Sequence, residues 1–199
     1  MPLILAGATS GATTIQATDG ATQTITLPNN TGTIVTSASS LTASQMPTGS
    51  VLQVLQTTKT DTFSSTSASW VDVTGLSVTI TPSSASNKIL VTGVMILSQD
   101  AGNLWGARLL RNGTLINAGD ASGSIGRGLM NAGSTGTHSE NPVAFKFLDS
   151  PATTSACTYK LQVYSEASLA VWVNRTSGNL NDDRQQRTSS NIIVMEIKG

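Results

Sequence analysis

The chain has 199 residues, with eleven basic and eleven acidic side chains for a formal net charge of zero; 38% of it is hydrophobic, 11% charged and 4% aromatic. Ordinary globular domains carry about 25% charged residues, so little on this surface opposes association, and zero net charge gives no electrostatic footprint for nucleic acid or an anionic membrane. Cys157 is the single cysteine, which excludes an intrachain disulfide and a thiolate metal site.

The chain opens with "MPLILAGATSGA". No basic segment precedes the apolar run Leu3 to Ala6, and the run is shorter than the roughly 7–15 apolar residues of a secretory signal. Nor does any stretch approach the roughly 20 apolar residues of a membrane-spanning helix. A chain made in the cytoplasm, with no export signal and no membrane partner, is expected.

Residues 1–36 carry a short period. Strand-like cores fall at Thr13 to Gln16, Gln23 to Leu27 and Gly32 to Val35, with Ile15, Ile25 and Ile34 about ten residues apart and the turn formers "TDG" and "PNNTG" between them. Three such strands hold too few apolar residues for a core of their own. The segment is therefore expected to pack on another protein or to wind with copies of itself, with Ile15, Ile25, Leu27, Ile34 and Val35 as its attachment residues. Small Ala, Gly and Thr side chains suit close backbone approach, and Thr suits β conformation.

Residues 37–49, "SASSLTASQMPTG", read as a linker with a short helical turn around Leu41 to Gln45, stopped by "MPTG". From Ser50 onward the period is two. "SVLQVLQTT", "SASWVDVTG", "LSVTITP", "NKILVTGVMILSQ", "LWGARLLRNGTLINAG", "PVAFKFLDS", "CTYKLQVYSEA", "LAVWVNRT" and "SNIIVMEIKG" give eight or nine strands, the pattern of an all-β antiparallel sandwich or barrel over residues 50–199. Asn112-Gly113 marks a hairpin turn. The loops Thr81 to Lys88 and Asp149 to Thr158 are expected to join strands across two sheets. Gly119 to Asn141 reads as a long insertion or a pair of weak edge strands. "NIIVMEI", apolar on both faces, predicts a central strand covered on both sides.

No constellation supports an enzyme. His138, the single histidine, lies beside Ser139 and Glu140, but sequence neighbours on an extended chain point to opposite faces. The acidic residues are scattered with no calcium-loop pattern, so no metal and no cofactor is expected; the mixed-sign "NDDRQQR" reads as a solvated loop. "SGSIGRG" lacks the Lys and Ser or Thr of a phosphate loop and reads as a flexible tip. A depolymerase would need paired carboxylates flanking a cleft, and none is evident. Three sequons, at Asn29, Asn112 and Asn174, carry little weight in a Thr-rich chain. Trp70, Trp105 and Trp172 are core or interface candidates; Trp105 is the one best placed for exposed stacking on a sugar ring. Arg127, Arg175, Arg184 and Arg187 are candidates for a polar receptor surface.

Two segments resemble known proteins. "LAGATSGATTIQATDGATQTITLPNNTGTIVTS" resembles the segments that open many tail-fibre-like and other virion structural proteins of tailed bacteriophages, notably cyanophages. "GSVLQVLQTTKTDTFSSTSASWVDVTGLSVTITPSSASNKILV", with "FKFLDSPATT", "YKLQV", "VWVNRT" and "IIVMEI", resembles their β-rich C-terminal domain. The resemblance implies a homotrimer on the outside of a virion, with a jelly-roll-like head and an N-terminal segment bound to tail or major capsid protein. On that reading the head meets a host cell-surface glycan or protein through its loops, with Trp105, Arg127, His138, Asp182, Asp183 and Arg184 as contacts. The alternative is a capsid cement or head-decoration protein; a leading segment of about 36 residues is short for a fibre shaft.

Overall fold

The computed structural model describes residues 3–6, 12–15, 41–99, 104–133, 140–166, 169–178, 181 and 185–199. The chain divides into two compact units, Met1–Ser40 and Leu41–Gly199. In the first, β1 (Leu3–Ala6) pairs antiparallel with β2 (Ala12–Ile15), placing Leu3 opposite Ile15. The strand expected at Thr13 begins one residue earlier. Its partner, the run Leu3–Ala6, lies outside the ten-residue period and was not marked by it. The strands expected over residues 23–27 and 32–35, with Ile25, Leu27, Ile34 and Val35, fall outside the described residues.

The second unit opens with a 3-10 turn, Ala43–Gln45, where the Gln45 side chain accepts from the Thr42 amide at 2.9 Å. The strands that follow are β3 (Val51–Lys59), β4 (Phe63–Ser65), β5 (Val71–Ile80), β6 (Lys88–Gln99), β7 (Leu104–Arg111) and β8 (Thr114–Ile116). Then come β9 (Met130–Gly133), β10 (Glu140–Asp149), β11 (Cys157–Ser165), β12 (Val171–Val173) and β13 (Ser190–Ile197). They form two antiparallel sheets. One runs β3-β13-β6-β12-β4 with β10 on the other edge of β6; the second runs β5-β11-β7-β8 with β9 also on β7. Setting aside β4 and β12 and counting β8 with β9, the sheets run first-eighth-third-sixth and second-seventh-fourth-fifth. That order is a jelly roll.

Alternation builds the core. Along β11, Cys157, Tyr159, Leu161 and Val163 are buried, and along β13 so are Ile192 and Val194; they meet Leu76, Val91, Met95, Leu97, Trp105 and Leu109 between the sheets. The loops after β5 and after β10 both cross from one sheet to the other, as their Pro and Ser content predicts. Asn112 (φ +47°) and Gly113 (φ +84°) form the two-residue turn between Arg111 and Thr114, the hairpin legible in the sequence.

Two readings change. The strands expected over Ser67 to Gly75 and Leu76 to Pro82 are one, β5: Gly75 takes φ +80° and the β11 ladder shifts between Lys160 and Gln162, so the chain bulges where a turn was expected. Strand β13 is central, between β3 and β6, but only one of its faces is buried. Ile193, Met195 and Ile197 on the other face are half-buried.

The two ends of this unit are clasped. Gly49 N donates to the Lys198 carbonyl at 2.8 Å, Lys198 N donates to the Ser50 carbonyl at 2.9 Å, and Lys198 Nζ donates to the Ser44 carbonyl at 2.8 Å. Just inside lies Glu196, 1% exposed. Its carboxylate accepts from Gln53 Nε2 and Ser83 N at 2.6 Å, Ser83 Oγ at 2.8 Å and Asn87 Nδ2 at 2.6 Å. Burial pushes this carboxyl upward, but the hydrogen bonds from Asn87, Gln53 and Ser83 outweigh it and hold it below the ordinary range.

Candidate functional site

The outward face of the five-stranded sheet carries a polar and aromatic chain of contacts. Register sets it: Gly106 lies opposite Tyr164, Arg108 opposite Gln162, and Gln162 opposite Asp72. Arg108 Nε donates to Gln162 Oε1 at 2.7 Å, Gln162 Nε2 to Asp72 Oδ1 at 2.6 Å and Lys160 Nζ to Asp72 Oδ2 at 2.7 Å. The Lys160 ammonium, with help from Gln162, holds the Asp72 carboxyl below its usual range against the opposing effect of burial.

Above this network Trp70, just before β5, lies with its ring 4.3 Å from the Arg108 guanidinium carbon and 4.8 Å, centroid to centroid, from the Tyr164 ring at 57°. Glycine at 106 makes room for both rings, because a Cβ there would sit 2.5 Å from Tyr164 Cε1 and 2.8 Å from Trp70 Cη2. Beside them the loop Gly126 to Leu129 lies down on β7. The Leu129 amide donates to the Ala107 carbonyl at 2.8 Å, and a Cβ at Gly128 would stand 2.4 Å from that oxygen. Arg127, exposed between the two glycines, is anchored by donation from Nε to the Gly119 carbonyl at 2.6 Å. A cavity of about 190 Å³ opens between Trp70, Tyr164, Gly106 and Arg127. The last three residues of the segment read as a flexible tip, Gly126 to Gly128, thus line a pocket.

Sequence reasoning placed one of these residues, Arg127, on a candidate surface. Trp105 is corrected: it is 0% exposed, because alternation on β7 turns Trp105, Ala107 and Leu109 inward and Gly106 and Arg108 outward. Trp70 and Trp172 are the half-buried indoles. His138, Asp182, Asp183 and Arg184 lie outside the described residues. Ile15 ends β2. Arg175 and Arg187 form an isolated antiparallel bridge, and the Arg175 guanidinium lies 5.1 Å from the Trp172 ring. Burial, and then Arg187, lower the Arg175 pKa. Asn174 of the third sequon is fully buried; its Nδ2 donates to the Lys59 and Asp61 carbonyls at 2.9 Å and its Oδ1 accepts from Ser190 at 2.6 Å.

Asp149 and Asp61 are engaged structurally. Asp149 accepts from Arg111 Nη1 at 2.7 Å and from the Tyr159 hydroxyl at 2.7 Å; burial, reinforced by Asp149, pushes the Tyr159 hydroxyl far above its ordinary value. Lys59 pairs with Asp61 at 2.9 Å. Among the described residues no group of three or more His, Cys, Asp or Glu side chains converges to hold a metal ion, and no helix is long and apolar enough to cross a membrane.

A second surface lies on the outward face of the six-stranded sheet. Val54 sits opposite Met195, Met195 opposite Leu90, and Leu90 opposite Leu148, an apolar row across four strands. Val54 is 53% and Leu148 49% exposed, and Val51 and Leu55 of the same edge strand β3 are also exposed. Lys59 is the one charged residue of β3, and its side chain is buried.

No protein-family model and no curated protein matches the chain. Among solved structures it aligns with a chain of T=1 particles derived from infectious bursal virus at 17% identity and TM-score 0.40, covering 73% of this chain and 40% of that one. A structure of the infectious bursal disease virus Gt strain aligns at 17% identity and TM-score 0.41 over 76% of this chain and 39% of that one. The chain spans about two fifths of the length of these structures' chains.

Proposed function

We propose that the chain is a non-enzymatic virion surface protein of a tailed bacteriophage, tail-fibre-like, anchored by residues 1–36 and carrying a trimeric β head for host attachment. The observation that carries this reading is the Val54–Met195–Leu90–Leu148 row: an outer sheet face this apolar, on a chain with so few charges, is stable in water when copies of the head cover it. The sequence resemblance supplies the setting, and the jelly-roll order agrees with it. The pocket at Trp70, Tyr164 and Arg127 supports contact with a host surface.

Edge strand β3, whose one charged side chain is buried, favours the second reading, a capsid cement or decoration protein. An edge with unpaired backbone groups and no charged side chain toward solvent accepts a further strand from a neighbouring subunit. One experiment separates the two: the copy number of this protein per purified virion, measured against the major capsid protein by quantitative mass spectrometry. A few to a few tens of copies, with loss of adsorption by particles lacking the protein, supports the tail-fibre reading. Hundreds of copies with normal adsorption overturns it in favour of decoration.

A further inference from the structure

We infer that the cavity between Trp70, Tyr164 and Arg127 is a binding site for an acidic sugar, a pyranose ring carrying a carboxylate. The inference deepens the host-attachment reading and rests on it for its biological meaning, but the binding itself is a property of the head alone.

Four features point to this ligand class. Trp70 and Tyr164 present half-buried rings, and aromatic faces pack against the C–H face of a sugar ring while excluding water from it. Hydrogen-bond donors surround them. Neither the Trp70 indole N–H nor the Tyr164 hydroxyl has a hydrogen-bond partner among the described residues, and Arg127 uses only Nε, toward Gly119, which leaves its two Nη groups for a ligand. No carboxylate lines the cavity, so the Arg127 charge is uncompensated there, whereas Arg108 behind Trp70 is offset by nearby Asp72. An uncompensated cation and further donors beside an apolar wall suit an anion attached to a ring. Finally, the cavity, at about 190 Å³, is below the roughly 300–1,000 Å³ of drug-sized sites, which suits a single ring of a longer polysaccharide.

The geometry is also built. Gly106 and Gly128 are the positions where any side chain would displace the rings or the loop, so the cavity depends on both.

The test titrates the purified chain with sodium glucuronate and sodium galacturonate, following indole fluorescence and ligand-observed NMR, with methyl glucoside and inorganic phosphate as comparison probes. Saturable uronate binding is expected, falling as salt rises, with the fluorescence response abolished in Trp70→Phe and affinity about 10-fold or more weaker in Arg127→Gln, the weight of a charge-assisted hydrogen bond. Arg127 is exposed on a loop, so Arg127→Gln keeps the fold and stays informative if Trp70→Phe does not. Equal binding of methyl glucoside overturns the role of charge, equal binding of phosphate overturns the role of the rings, and no saturable uronate binding overturns the site. Each of these leaves the virion reading standing, since copy number and adsorption are measured without any sugar.

Discussion

The Tyr159 hydroxyl donates to Asp149 Oδ2 at 2.7 Å across the space between the two sheets, with Tyr159 on β11 and Asp149 at the end of β10. Arg111 closes the group from β7. Tyr159→Phe removes one bond and leaves Asp149 paired, so a loss of about 1–2 kcal/mol is expected in urea unfolding. Asp149→Ala strands both the guanidinium and the hydroxyl, and a loss of about 3–5 kcal/mol is expected. Equal losses from the two substitutions would show that the hydroxyl, not the ion pair, holds the sheets here.

Glu196 sets an acid limit. Its folded pKa is depressed by hydrogen bonds from Asn87, Gln53 and Ser83 that outweigh burial, so the folded state binds its proton less readily than the unfolded chain, whose glutamates titrate near about 4.3. The stability it contributes is complete well above that value and is lost as pH falls through the lower folded pKa. Asp72, held low by Lys160, acts in the same direction, but it is half exposed and salt screens it. Thermal melts between about pH 3 and pH 7 should fall toward the acid end in high salt as well as low, and Glu196→Gln should flatten that fall.

Apolar cover of the outer sheet face predicts its own disruption. Val54→Lys or Leu148→Lys places a charge in the four-strand row without touching the core between the sheets. Light scattering should find the unmodified chain as a trimer and each variant as a monomer with an unchanged β spectrum. A monomeric unmodified chain would remove the trimer from the proposal.

Gly128→Ala tests the pocket wall. The added Cβ meets a backbone oxygen at 2.4 Å, which no rotamer change relieves, so the loop must lift from β7. A loss of roughly 1–3 kcal/mol is expected, with faster hydrogen exchange at the Leu129 amide than in the parent chain.

Much of the head was legible because a strand with one buried face writes its alternation into the sequence. "CTYKLQVYS" shows its buried Cys157, Tyr159, Leu161 and Val163 directly, and Asn112-Gly113 shows its turn. Strand β5 was split in reading because Gly75 looks like a turn residue; only the partner strand β11 tells a bulge from a turn. The pocket was mostly hidden. Trp105 and Trp70 are equally apolar in sequence, and which one surfaces depends on the parity of β7 and on where β5 begins. Parity did carry one usable signal: with Leu109 and Ala107 inward, Trp105 must be inward too.

The clasp between Gly49 and Lys198 brings the entry and exit of the jelly roll together, and this makes the head a candidate for circular permutation. A short linker joining Gly199 to Ser50, with new ends opened at the exposed Asn112-Gly113 turn, would preserve every strand pairing of both sheets except the β7–β8 hairpin connection. Such a chain would present its ends on the loop side of β7, where a cargo could be carried.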